Sequence, residues 1–387
     1  MSHRADRAVP YRTRRTLAVI AGVMAGVTVV LIAVLWPRGE RRGDLTEIGV
    51  YRDVYAATVV SSTEQACQNT VPSENIRCRF IVFELTEGPD RGTRANIDFP
   101  TDSPIPPLDP GDEAVLGRTP QARPGFQYAF VDRERGGVLL WLGLAFAAAV
   151  VALGRLRGFA ALAGLAASLA VLLAFILPAL VEGKDPLLIA VVGAAAIAFL
   201  ALYLAHGLTT MTTVALLGTL GSLALTAILA NVFVGLAELT GFVTEESTIV
   251  RVGAAQIDLA GLTLAGVVIG ALGAIDDVTV TQASAVWELR DANPRMPSGE
   301  LLRAGLRIGR DHVASTVNTL ALAYAGASMP LLILFVLSGQ SIGSVANGET
   351  VATEIVRTLV GSIGLVASVP ITTWLAVQTA RPRGRRA

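Results

Sequence analysis

Six polar residues carry chemistry that the rest of this apolar chain lacks. Asp276 and Asp277 close one long apolar run, and Asp311, His312, Ser315 and Asn318 open the next. Ionisable groups at membrane depth are expensive, and they mark proton relays, ion paths and substrate paths. At helical spacing Asp311, Ser315 and Asn318 share one face, with His312, Ser315 or Thr316, and Thr319 on the neighbouring one. A ladder of carboxylate, imidazole, hydroxyls and amide suits proton relay or cation coordination. The structural alternative is an Asn318 amide that only hydrogen-bonds across to another helix. Asp276 and Asp277 also have two readings. Asp277 caps a following helix that holds Thr279, Thr281, Gln282 and Ser284, or the two carboxylates belong to the working site. Gly266, Gly270 and Gly273 lie just before them and form a small-residue face for close helix packing. Asp276, Asp277, Asp311 and His312 are expected to meet in one vestibule, with Arg310 in reach of a carboxylate.

The elements that must position these groups are membrane spans. Apolar residues make up 52% of the 387 and charged residues 16%, and the mean hydropathy is +0.58. A soluble domain carries about a quarter charged residues. Eight apolar runs approach the length that crosses about 30 Å of hydrocarbon. They lie at Leu17–Trp36, Val138–Leu153, Phe159–Val181, Leu187–Ala205, Val214–Ala237, Leu259–Ile275, Ala314–Leu337 and Val356–Val377. The second is short, and the fifth contains Asn231 and is rich in Gly and Thr. The first follows Arg12, Arg14 and Arg15 as a signal peptide would, but Trp36-Pro37-Arg38 is no small-residue cleavage site, so it reads as an uncleaved anchor.

The fold expected is therefore an α-helical polytopic membrane protein of about eight spans, with one soluble insert. Residues 1–16 form a basic tail, 17–36 the first span, 41–135 the insert, 138–377 a seven-helix membrane domain and 378–387 a second basic tail. Arginine placement sets the orientation. With Arg4, Arg7, Arg12, Arg14 and Arg15 in the cytoplasm, Arg155 and Arg157, the Arg290–Arg310 group and Arg381–Arg386 also fall there. The outer loops then hold Lys184 and Arg251, with Arg357 just inside the last span. The one exception is the loop His206–Thr213, assigned to the cytoplasm, which has no Arg or Lys. Both termini come out cytoplasmic.

The insert is then extracytoplasmic, and it reads as β. Val54–Val60, Arg79–Leu85, Arg94–Phe99, Ala114–Leu116 and Phe126–Val131 are short and rich in Val, Ile, Phe and Tyr. Turn signals separate them at Glu87–Gly92, Pro104–Pro107 and Asp109–Asp112. Five short strands suggest a small closed barrel of the OB type. Its loops lack the clustered aromatic and basic residues of a nucleic-acid surface. Cys67 and Cys78, the only cysteines, both fall here, and an oxidising compartment favours a disulfide between them. Two cysteines are too few for a metal site, and His3, His206 and His312 lie on the other side.

Between the polar groups, Val278–Gly309 reads as two cytoplasmic helices broken at Asn293-Pro294 and Pro297-Ser298, with Ser298 as an N-cap. Val286 and Trp287 would anchor the first at the headgroups, and Arg303, Arg307 and Arg310 would contact anionic lipid.

The stretch Gly270-Ala-Leu-Gly-Ala-Ile-Asp-Asp-Val-Thr-Val-Thr-Gln-Ala-Ser-Ala-Val-Trp-Glu-Leu289 resembles the signature of the YibE/F family of bacterial membrane proteins. So does Gly309-Arg-Asp-His-Val-Ala-Ser-Thr-Val-Asn-Thr-Leu-Ala-Leu-Ala-Tyr-Ala-Gly326, and the turn Tyr203-Leu-Ala-His-Gly207 is similar. The resemblance implies a multi-pass protein of the bacterial plasma membrane, commonly taken for a transporter, with no fixed substrate.

Three functions compete. A secondary transporter or permease fits a helical body with a polar ladder and no P-loop, and its partners would be the lipid bilayer and a small solute or ion. A non-enzymatic assembly or sensor module would use the outer β domain to bind a partner. In either case a homo-oligomer or a second membrane subunit is a candidate partner. An intramembrane aspartyl protease fits poorly, because Gly273-Ala-Ile-Asp276 is not the Gly-x-Gly-Asp pattern and no Tyr-Asp pair occurs in a span. No catalytic residue, cofactor or metal ligand is assigned.

Overall fold

A computed structural model describes residues 9–39, 51–66, 77–101, 103, 105, 107–123, 125–253 and 256–380. The outer parts of both basic tails and Cys67 lie outside the described residues. The chain divides into two units, residues 42–149 and residues 1–41 with 150–387.

The first unit holds a five-stranded antiparallel half-barrel. Its strands are β1 (Asp53–Ala66), β2 (Arg77–Leu85), β3 (Arg94–Pro100), β4 (Glu113–Arg118) and β5 (Tyr128–Arg133), in the order β3-β2-β1-β4-β5. Alternation along β2 turns Ile81, Phe83 and Leu85 inward, where they pack with Ala57, Val59 and Leu116. Register shifts at Val59/Ser61 and Val115/Leu116 bend the sheet. Its two edges approach each other, with the rings of Phe99 on β3 and Phe130 on β5 edge to face at 5.6 Å. The expected turn at Glu87–Gly92 forms, using Gly88 and Gly92 at φ 88° and 82°. Its Asp90 carboxylate accepts hydrogen bonds from Tyr128 Oη (2.6 Å) and Arg118 Nε (3.0 Å), tying the turn to β4 and β5. Cys78 is buried on β2.

The remaining elements are helical: α1 (Tyr11–Val34), α2 (Gly136–Gly154), α3 (Leu156–Val181), α4 (Pro186–His206), α5 (Thr210–Leu236), α6 (Glu245–Gly253), α7 (Leu259–Ala292), α8 (Ser298–Ala327), α9 (Met329–Ser338), α10 (Ile342–Asn347) and α11 (Glu349–Thr379). Among the described residues seven helices are long and apolar enough to cross a membrane, or eight if α8 with α9 is one broken span. Local chemistry sets their ends. Asp185 caps α4 through Leu188 N at 2.7 Å, Pro186 follows as its first residue, and Gly207 closes it at φ 77°.

The core is a trio, α5, α7 and α11, held through small residues and hydroxyls. A Cβ on Gly218 would collide with Thr372, and one on Gly364 with Thr226. Such positions let helices approach closely where no hydrophobic effect drives them together. Thr219, Ser222, Thr226, Thr279, Ser368 and Thr372 are all fully buried in this trio. Helix α1 is fastened at its end, where Lys184 Nζ donates to the carbonyls of Leu35 and Trp36 at 2.8 Å each and Trp36 stacks on Phe175.

Several expectations need correction. Helix α7 does not stop at Asp276-Asp277 but runs 34 residues to Ala292, about 51 Å, well beyond the hydrocarbon thickness. No proline or turn signal interrupts it before Asn293-Pro294, so the apolar run ends before the helix does. Asp277 is therefore not a helix cap. Val286 and Trp287 do not sit at headgroups; they are buried with Leu301 and Val377. The seventh run is not one straight helix but bends by 66° between α8 and α9. Pro330 explains the break, since it has no N–H to donate to the Gly326 carbonyl one turn earlier and its ring would clash with that carbonyl. The break at residues 293–297 is where the sequence puts it, but Pro297 occupies the cap position and Ser298 makes no capping bond.

Candidate functional site

The glycines and Asp277 form one stripe on α7, because Gly266, Gly270, Gly273 and Asp277 are spaced four, three and four residues apart. Gly270, Gly273 and Asp277 are exposed although the same helix is buried on its other side. Polar side chains of two neighbouring helices face the stripe. At one end, Arg357 Nη2 of α11 lies 3.7 Å from where a Gly266 Cβ would be, and Tyr324 Oη of α8 lies 2.8 Å from that of Gly270. Arg357 pairs with Glu354 one turn away at 2.5 Å. A Cβ on Gly273 would meet nothing within 4 Å outside its own turn, among the described residues. At the other end, His312 Nε2 of α8 is 3.9 Å from Asp277 Oδ2, with their side chains 36% and 71% exposed. That distance is too long for a direct hydrogen bond, and among the described residues His312 Nε2, itself buried, has no hydrogen-bond partner. The glycines thus floor a groove edged by polar tips, rather than receiving another helix backbone.

The six polar residues of the sequence do not form one cluster. Asp277 and His312 come together. Asp276 points away from them to the core trio, where its Oδ1 accepts from Thr219 Oγ1 at 3.2 Å, and Thr219 lies 2.7 Å from Thr279 Oγ1. Asp311, Ser315 and Asn318 share one face of α8, as their spacing predicts, but that face is exposed. Among the described residues no ion pair joins Arg310 to a carboxylate of the set.

Several polar residues of this region escaped the sequence reading. Gln282 Nε2 donates to Gly305 O (2.8 Å) and Thr373 Oγ1 (2.7 Å), locking α7 to α8 and α11. Arg290 is buried and donates to the carbonyls of Ala380 and Met296. Tyr324, Glu354 and Arg357 edge the groove; the only sequence signal was a charged pair inside an apolar helix. Among the described residues no group of three His, Cys, Asp or Glu side chains could hold a metal ion.

A helical body with seven or eight apolar helices and a polar groove on one of them defines a multi-pass membrane protein. The chain belongs to the YibE/F-like protein family, whose model matches residues 142–382. That match takes in every residue of the groove and begins after the half-barrel. No curated protein and no solved structure matches the chain.

Proposed function

We propose that this protein is a secondary transporter or permease of a bacterial plasma membrane, moving a small solute or ion along the α7 groove. The supporting observation is the glycine-floored stripe with a carboxylate and an imidazole at one end and the Tyr324–Arg357–Glu354 group at the other. The ends are 11 residues apart on α7, roughly 16 Å. Asp277 and His312 supply protonation chemistry, and the glycines supply room and exposed backbone. No reaction chemistry is assigned, so the protein is not an enzyme in this reading. The half-barrel is read as an extracytoplasmic OB-type barrel, and both termini as cytoplasmic. Growth and metabolite profiling of a deletion strain tests the function. A specific solute whose cellular level changes, and is restored by the intact gene, is the expected result; an unchanged profile would remove the transport reading.

A second reading, an assembly role, is favoured by one observation. Asp311, Ser315 and Asn318 lie exposed on α8 together with Arg307 and Arg310. Polar groups on a lipid-facing helix are costly unless covered. Arg307 and Asp311 are one turn apart on this face, so it carries both charge signs and is self-complementary across a two-fold axis. The covering partner in this reading is a second copy of the chain.

A further inference from the structure

A cavity of about 530 Å³ lies between α1 and the α4–α5 hairpin, away from the α7 groove. Its α1 wall is made of Ala18, Ala21, Gly22 and Ala25, and its opposite wall carries Phe199 and Tyr203. The space is built into the sequence. Leu17 near the start of α1 packs in a buried cluster with Val214 and Trp287, and Leu35 and Trp36 beyond its end receive Lys184. Between these fastenings α1 presents only small side chains, which leave the space beside α4 unfilled, and a Cβ on Gly22 would meet nothing within 4 Å among the described residues. Arg14, Thr209 and Thr210 stand at one end of the cavity, and Arg12 and Arg15 are exposed beside them.

We propose that this cavity is a binding site for one acyl chain of an anionic phospholipid, with the phosphate headgroup at Arg14. Depth supports it. Arg14 to Ala25 is 11 residues of helix, roughly 16 Å, and one leaflet of a bilayer is about half of 30 Å. The lining also changes in the right order, from guanidinium and hydroxyls at the headgroup level to Ala, Gly and Phe below it. Charge complementarity selects an anionic over a zwitterionic headgroup, since Arg12, Arg14 and Arg15 attract the negative surface of the cytoplasmic leaflet. The site also accounts for the loop at residues 206–213 having no Arg or Lys of its own. Arg14 from α1 lines the same cavity as Thr209, Thr210 and Thr213 and brings a positive charge to that loop.

Native mass spectrometry of the full chain in detergent, titrated separately with phosphatidylglycerol and phosphatidylcholine of matched acyl chains, tests the site. The intact chain is expected to retain phosphatidylglycerol preferentially. Arg14→Gln should weaken that retention about fivefold, the worth of one basic residue at the surface, and weaken phosphatidylcholine retention less, so that the preference between the two narrows. Gly22→Leu should reduce retention of both lipids by occupying the acyl space, at unchanged membrane abundance. Excess inorganic phosphate should not displace the lipid. Equal retention of the two lipids, unchanged retention in Gly22→Leu, or displacement by phosphate alone would each overturn the proposal. None of these outcomes bears on the α7 groove.

Discussion

Asp277 on α7 and His312 on α8 face each other at 3.9 Å across the open end of a groove whose floor is glycine. Adjacent in sequence to Asp277, Asp276 belongs to a different environment, bonded to Thr219 of α5. A helix turns about 100° per residue, so neighbouring carboxylates cannot share one face. The pair therefore divides into a groove residue and a packing residue, and the two should respond differently to substitution.

Filling the groove should separate folding from function. Gly273→Leu adds a side chain where nothing lies within 4 Å, so membrane abundance and thermal stability should stay near those of the intact protein while activity is lost. Gly270→Ala instead places a methyl against the Tyr324 hydroxyl. That tip can move, and a milder loss is expected. Full complementation of a deletion strain by Gly273→Leu at normal abundance would show that the groove is not used.

Asp90 in the half-barrel gives a pH dependence with a definite sign. The Tyr128 hydroxyl, and with it Arg118, holds its carboxyl below the usual 3.8. A depressed carboxyl contributes stability that is present above 3.8 and lost as pH falls through the lower folded value. Tyr128, pushed up to about 12 by burial and by Asp90, has the opposite sign: its contribution is full below pH 10 and is lost as pH rises towards 12. Amide exchange of β4 and β5 in the full chain should show protection greater in the intact protein than in Asp90→Asn at pH 6. The difference should shrink as pH drops below 3.8. A constant difference down to pH 2 would contradict the assignment.

The half-barrel was legible in the sequence because strands announce themselves by alternation and turns by Gly and Pro. Four of its strands fall within a few residues of expectation, and β1 starts as expected but runs on past Val60 to Ala66. The membrane body was legible in number and approximate limits, but not where helix length and apolar length part company. Asp276-Asp277 ends the apolar run yet sits in mid-helix, since polarity does not stop an α-helix and only Asn293-Pro294 does. Pro330, at the bend between α8 and α9, was a visible signal inside a run that hydropathy alone joins. The site was half legible: spacing puts Asp311, Ser315 and Asn318 on one face, but spacing on one helix does not say which neighbour that face meets. Arg357, Tyr324 and Thr219 reach their partners only through packing of separate helices.

Cys67 and Cys78 should be oxidised to each other in the mature protein, which would also report the side of the membrane on which the half-barrel lies. Mass spectrometry of non-reduced membranes should find the linked peptides, and Cys67→Ser should destabilise the domain by roughly 2–4 kcal/mol. Both thiols free would remove the disulfide and weaken the extracytoplasmic assignment.

The exposed face of α8 gives a cross-linking prediction. Ser315→Cys in an otherwise cysteine-free chain should form a disulfide-linked dimer in native membranes on mild oxidation, and Arg303→Cys, nearer the helix start, should do so less. Monomer only, at both positions, would leave that face without a second copy. If a second copy covers that face, Asn318→Leu removes at most one interhelical hydrogen bond, worth roughly 0.6–2 kcal/mol, and should weaken the dimer without unfolding the bundle.

The most direct test of the groove is Asp277→Asn, read by complementation of the deletion phenotype together with membrane abundance and thermal stability. Asn keeps the shape and removes the charge that faces His312. The account predicts a folded, normally inserted protein that fails to complement, while Asp311→Asn, on the exposed face of α8, complements better. Full complementation by Asp277→Asn at normal abundance would contradict it.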